Sequence, residues 1–162
     1  MSNIPNISTI LYVTDLGEQA KPVFKHALVL AKQHGADIVM LHVVEPMSDA
    51  AMAFVSSYVS KEVSSKVQKT TMQEILANMK VRLEKFYSEE CDGSDSFSPV
   101  KEFLVVGGKP SEEILRVAEE DKVDMIVMGK STRKVRGIRV MGSTARRVGR
   151  MSNVPVLVVP NY

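Results

Sequence analysis

The chain of 162 residues contains no tryptophan, a single cysteine and only three histidines. One thiol, Cys91, cannot close an intramolecular disulfide, and so few Cys and His side chains cannot build a zinc cage. Redox and structural-zinc chemistry therefore drop out. Long apolar runs are missing too: stretches such as residues 38–41 and 154–159 fall far short of the ~20 residues a membrane-spanning helix needs. Basic residues are missing from the start of the chain, where the first is Lys21. The charged leader of a secretory signal is thus not expected, and the protein reads as cytoplasmic with no membrane partner. Acidic residues are missing over one later stretch. From Lys130 to Arg150 there are eight cations, namely Lys130, Arg133, Lys134, Arg136, Arg139, Arg146, Arg147 and Arg150, and no Asp or Glu. Of the 21 cations, 13 remain elsewhere against 19 acids. An acidic body with one concentrated basic segment suits a small anionic ligand better than a surface that coats nucleic acid.

What is present fits one soluble domain spanning residues 1–162, with 44% hydrophobic and 25% charged residues, because two cores in a chain this short would each be small. Periodicity alternates between strand and helix. Residues 10–13 form an apolar run ending in Thr14 and Asp15, followed by Ala20, Val23, Phe24, Ala27 and Ala31 at helical spacing and by Gly35 as a cap. Residues 38–44 are a second apolar strand. The stripe Met72, Ile75, Leu76, Met79, Leu83 and Phe86 predicts a second helix, residues 100–106 a third strand, and Pro110 with Glu112 and Glu113 the first turn of a third helix. Residues 125–128 are a fourth strand, Gly142 and Ser143 open a fourth helix, and residues 154–159 are a fifth strand. Repeated strand-helix-strand units predict an α/β fold: a doubly wound, mostly parallel five-stranded sheet with helices on both faces. The third strand, with Lys101 and Glu102, and the fifth, with Pro155, suit the edges. The insertion at about residues 46–66 fits this scheme least well and reads either as a short helix or as a mobile flap over the strand ends.

In open α/β sheets ligands bind outside the carboxyl ends of the strands. Three such ends carry chemistry: Thr14-Asp15, His42-Val43-Val44, and the loop from Gly129 through Lys130, Ser131, Thr132 and Arg133 to Gly142, Ser143 and Thr144. In that loop the glycines admit an anion close to the backbone, and Gly142 and Ser143 are expected to offer unpaired N–H groups at a helix start, where the dipole adds positive potential. A phosphate group is the natural guest, although Ser143 alone also fits a simple helix cap. Asp15 can accept hydrogen bonds from a ribose or cap the first helix, and both readings stand. Val43 reads as core. His26, His34 and His42 lie in helix or buried strand, where a structural role outweighs a catalytic one. No Gly-x-x-x-x-Gly-Lys-Ser/Thr loop and no dinucleotide glycine fingerprint is present, which excludes a fast P-loop ATPase and leaves NAD chemistry unsupported.

The loop resembles the phosphate signature of the universal stress protein family: glycine, two residues, glycine, nine residues, then glycine and serine or threonine. Gly129, Gly142 and Ser143 match, and the likeness extends through Thr14-Asp15, Leu41-His42-Val43, the segment from Gly108 to Ile114, Val127-Met128-Gly129 and residues 154–159. The resemblance implies the strand order 3-2-1-4-5 of the adenine nucleotide alpha hydrolase-like folds. It implies binding of ATP or AMP, with Mg2+ or Mn2+, by a stress-response sensor or regulator. Thr14, Asp15 and the backbone of Val43 would meet adenosine, while Gly129, Lys130, Ser131, Thr132, Arg133, Gly142, Ser143 and Thr144 would meet the phosphates. Efficient hydrolysis is not expected, since Asp15 is the one acid near enough to act as a metal partner. The family also implies a homodimer through the strand that runs from Val154 to Val159, which would cover an open apolar edge. One departure stands out: Thr132 occupies the signature's second glycine position, and a β-branched residue there weakens binding if positive φ is needed. That departure favours a rival, a nucleotide-free dimeric adaptor whose basic segment docks on an acidic protein partner. A third reading, nucleic-acid binding through residues 133–150, is disfavoured by the acidic remainder and the lack of aromatics in that segment.

Overall fold

The computed structural model describes residues 3–17, 19–58, 60–91, 97–131 and 134–161. In chain order the elements are β1 (Thr9–Val13), α1 (Ala20–His34), β2 (Asp37–Val44), α2 (Asp49–Ser56), α3 (Lys61–Glu90), β3 (Val100–Gly107), α4 (Pro110–Glu120), β4 (Met125–Gly129), β5 (Lys134–Val135), β6 (Ile138–Arg139), α5 (Ser143–Met151) and β7 (Val156–Val159). Five strands form one parallel sheet in the order β3-β2-β1-β4-β7, while β5 and β6 pair as a separate antiparallel hairpin. With the hairpin set aside this is the expected 3-2-1-4-5 order, and the two strands read as edges, β3 and β7, lie at the edges.

Alternation along the strands divides the core in two. Ile10, Tyr12, Ile38, Met40 and Val127 pack with α1 and α3 on one face, whereas Leu11, Val39, Leu41, Ile126 and Met128 pack with α4 and α5 on the other. Both faces are covered, which is why these strands read as continuous apolar runs. On the first face Phe24 is fully buried and centres an aromatic cluster, with ring centroids 5.2 Å from Tyr12, 5.6 Å from Phe86 and 6.1 Å from Tyr87. Helix α1 ends where Gly35, at φ 64°, turns its N–H back to the Ala31 carbonyl.

The segment at 46–66 resolves into helix: α2 occupies part of it and α3 begins at Lys61, well ahead of the apolar stripe that starts at Met72. Glu62, Val63, Lys66 and Lys69 are exposed, so the described side chains in the first turns of α3 offer no core-facing stripe for periodicity to detect. Phe54 and Tyr58 pack edge to face at 5.2 Å while 66% and 78% exposed. The Gly129 loop also holds structure that periodicity missed. Arg136 at φ 50° and Gly137 at φ 78° join β5 to β6, the positive-φ pair that a two-residue hairpin turn requires. Among the described residues no helix is long and apolar enough to cross a membrane.

Candidate functional site

A cavity of about 500 Å³ opens at the carboxyl ends of β1, β2 and β4. Nine of the eleven site residues expected from the sequence line it: Thr14, Asp15, Val43, Gly129, Lys130, Ser131, Gly142, Ser143 and Thr144. The other two, Thr132 and Arg133, lie outside the described residues.

On the β1 side the chain turns sharply after Val13. The Thr14 N–H donates to the Leu41 carbonyl at 2.9 Å and its Oγ1 accepts from the Leu16 N–H at 3.0 Å. Asp15 Oδ1 accepts from the Gly17 N–H at 2.9 Å. Asp15 therefore braces its own turn, and α1 is capped at Gln19 with no side-chain bond, so of its two readings the helix cap is not realised. Leu16 takes a left-handed φ of 61°, a conformation disfavoured for a bulky side chain and held here by packing against the core. Tyr12 lies beneath this turn. Burial, with smaller contributions from Asp15 and Glu90, raises its phenol pKa above the usual tyrosine range against the lowering effect of Thr14.

On the β2 side, parallel-strand alternation decides which backbone groups face the cavity. The Leu41 carbonyl bonds Thr14 on the β1 side, and the Val44 carbonyl bonds the Gly108 N–H on the β3 side. Val43 shares the facing of Leu41, and its amide and carbonyl point past Val13, the last β1 residue in register. Those two polar groups border the cavity beyond the last rung of the ladder. Beside them, His42 Nδ1 donates to the Thr14 carbonyl at 2.8 Å, and Glu45 and Ile114 complete this end.

The anion end is built around the start of α5. Gly142 is its N-cap, at φ −65° and ψ 158°, with no side-chain cap bond, so Ser143 is not the capping residue. The Gly142 N–H donates to the Lys130 carbonyl at 2.9 Å, which corrects the expectation that it is free for an anion: that bond closes the base of the loop instead. The helix's own ladder begins with Arg146 N–H to the Gly142 carbonyl at 3.0 Å, leaving the amides of Ser143, Thr144 and Ala145 ahead of it at the positive end of the helix dipole. Lys130 and Arg146 are the cations that line the cavity among the described residues. Other described cations of the basic segment lie elsewhere: Arg147 is 3.8 Å from Glu112, and Lys134 and Arg136 sit exposed on the hairpin.

Sequence reasoning placed His42 at a strand end of interest but read it as structural, and it did not assign Arg146, Glu45 or Asn161 to the site. Arg146 had a signal, since it belongs to the acid-free run and follows the Gly-Ser helix start. Asn161 had none. Its side chain is 96% buried by its 4% exposure, and its Oδ1 accepts from the Ser131 N–H at 3.0 Å. Among the described residues no group of three or more His, Cys, Asp or Glu converges as a metal site.

Residues 6–160 match the Universal stress protein family. A universal stress protein of Methanocaldococcus jannaschii, MJ0577, is 29% identical over 161 residues, covering 93% of each chain. Among solved structures, UspA of Lactobacillus plantarum superposes with a TM-score of 0.73 at 20% identity, over 96% of this chain and 99% of that one. A universal stress protein in complex with cAMP superposes with a TM-score of 0.61 at 18% identity, over 96% and 98%.

Proposed function

From the premise that the chain belongs to the universal stress protein family, we propose that it binds an adenine nucleotide, ATP or AMP, and acts in the cytoplasm as a stress-response sensor or regulator. The observation that carries this reading is the two-ended cavity. Helix-start amides at Ser143, Thr144 and Ala145, with Lys130 and Arg146, lie at one end, and the Val43 backbone lies at the other. A volume of about 500 Å³ is in the range of small-molecule sites. The structural neighbour in complex with cAMP supports an adenine nucleotide as the class of ligand.

In this reading the phosphates sit on the three amides, which donate to anionic oxygens in charge-assisted bonds that neutral ligands cannot match. The base is held between apolar walls at Val13 and Ile114 with its edge toward the Val43 amide and carbonyl. Asp15, exposed on its braced turn, accepts from the ribose hydroxyls. A divalent ion such as Mg2+ or Mn2+ would take most of its ligands from a triphosphate, with Asp15 and Glu45 the carboxylates that line the cavity. Ligand binding would order the loop that carries the hairpin, and the changed surface would then be read by a protein partner.

A second reading, a nucleotide-free adaptor, is favoured by one observation. The hairpin turns Val135 and Ile138 outward, 43% and 70% exposed, beside Lys134 and Arg136, a surface suited to an acidic partner with an apolar centre. Titration of the purified protein with ATP, AMP and a short DNA duplex at two salt concentrations separates the alternatives. Saturable nucleotide binding is expected; no response to either nucleotide selects the adaptor, and steep salt-dependent duplex binding selects nucleic acid.

A further inference from the structure

We propose that Asn161 is a positioning residue that holds the phosphate-facing loop, and that Gly129 is a glycine because Asn161 occupies the space a side chain would need. The inference rests on the nucleotide-binding reading and extends it to a residue outside the glycine loop. Two consecutive rungs tie the base of the loop to the segment following β7. The Lys130 N–H donates to the Val159 carbonyl at 2.8 Å, and the Ser131 N–H donates to Asn161 Oδ1 at 3.0 Å. The first is an ordinary sheet bond. The second continues the ladder with a side chain after the strand has ended, and it does so from a nearly sealed position, since Asn161 is 4% exposed.

Burying an amide side chain is unfavourable unless its polar atoms are used. Oδ1 is used by Ser131. Nδ2 has no hydrogen-bond partner among the described residues, and Asn161 contributes to the cavity lining. The same amide occupies the space that a β-carbon on Gly129 would enter. A methyl group added there would sit 2.9 Å from Nδ2, closer than real β-carbons approach, and 3.2 Å from Cγ, a tight contact. Gly129 has no left-handed φ, so backbone strain does not require a glycine at this position. What requires it is room for the asparagine. Displacing the Asn161 amide releases Ser131, next to Lys130, whose carbonyl accepts from the Gly142 N–H and so holds the start of α5 at the cavity.

The test is a double-mutant cycle read with two probes, ATP and adenosine. Asn161→Ala is expected to weaken ATP by about tenfold, the order of one lost buried hydrogen bond, and to leave adenosine affinity unchanged. Gly129→Ala should weaken ATP similarly on its own, yet cost nothing further in the Asn161→Ala background, because the group it displaces is already gone. Equal losses for ATP and adenosine, or additive losses from the two substitutions, would overturn the assignment. If wild-type protein binds neither probe, the nucleotide reading itself fails, and amide hydrogen exchange at Ser131 then judges the clamp. Faster exchange in Asn161→Ala upholds the loop-holding role, and unchanged exchange removes it.

Discussion

Gly142 shows how little space separates a tolerated from a damaging substitution at the anion end. Its φ of −65° is open to any residue, and a β-carbon there would meet the Lys130 carbonyl at 3.4 Å and Ser131 Oγ at 3.5 Å, ordinary contacts. Alanine therefore fits, whereas the γ-carbons of valine extend into the loop base that the Gly142 to Lys130 bond closes. Gly142→Ala is expected to keep ATP affinity within about threefold, and Gly142→Val to lose roughly 5- to 150-fold with the fold intact, from the 1–3 kcal/mol typical of overpacking. Calorimetric titration with circular dichroism as the control checks both, and equal affinities for the two variants would refute the argument. Asp15, Gly142 and Ser143 could be placed at the cavity from the sequence because their signals are local, a carboxylate directly after a strand and a helix start at the end of a glycine-bearing loop. Asn161 could not, because its role depends on a bond to Ser131, 30 positions away, and an isolated asparagine after an apolar strand reads as surface. The N–H of Gly142 was misread for the same reason: its partner, the Lys130 carbonyl, lies across a loop whose closure no local pattern reveals.

The strands and most helices were legible because burial on both faces writes itself as runs and 3.6-residue stripes, as at Ile38–Met40 or Ala20–Ala31. Elements that bury little left no such trace. The first turns of α3 are exposed from Glu62 to Lys69 wherever their side chains are described, and the β5–β6 turn uses Arg136 in a left-handed conformation where Asn or Asp would have signalled a hairpin. Stability should follow the same division. Phe24 joins β1, α1 and α3 through three ring contacts within 6.1 Å and is fully buried. Phe24→Ala is expected to cost about 3–5 kcal/mol of unfolding free energy by removing that volume from a packed core. Ile138→Ala, on a side chain 70% exposed on the hairpin, should stay within about 0.5 kcal/mol. Urea unfolding of both variants measures the contrast, and comparable losses would mean that the hairpin packs far more closely than its exposure indicates.

At the scale of the whole molecule, two properties follow from what the sheet leaves buried and what it leaves open. Tyr12 is sealed beneath the cavity with its hydroxyl donating to the Ala20 carbonyl at 3.2 Å, and burial is the main cause of its raised pKa. An unfolded tyrosine ionises near pH 10. Below that pH both states hold the proton and the contribution is complete. Above it the unfolded state releases the proton while the folded state keeps it, so stability falls as pH rises, by about 1.4 kcal/mol per unit from this group. Between pH 8 and pH 11 wild-type protein should lose more unfolding free energy than Tyr12→Phe, and parallel losses would exclude the effect. The open feature is the outer edge of β7. The Pro155 carbonyl bonds Ile126 and the Val159 carbonyl bonds Lys130, so odd-numbered residues face β4 and the N–H and C=O groups of Val156 and Val158 face away from the sheet. Homodimerisation through this strand would pair those groups with a second copy. Val158→Pro removes one outward N–H without touching a bond to β4, and its effect on the strand residue before it is mild because Leu157 is already extended. Light scattering is expected to give twice 17.9 kDa for the unaltered chain and a single 17.9 kDa chain for Val158→Pro. A variant that stays folded and still measures as two chains would move the interface to another surface, and a wild type that measures as one chain would leave the β7 edge open in solution.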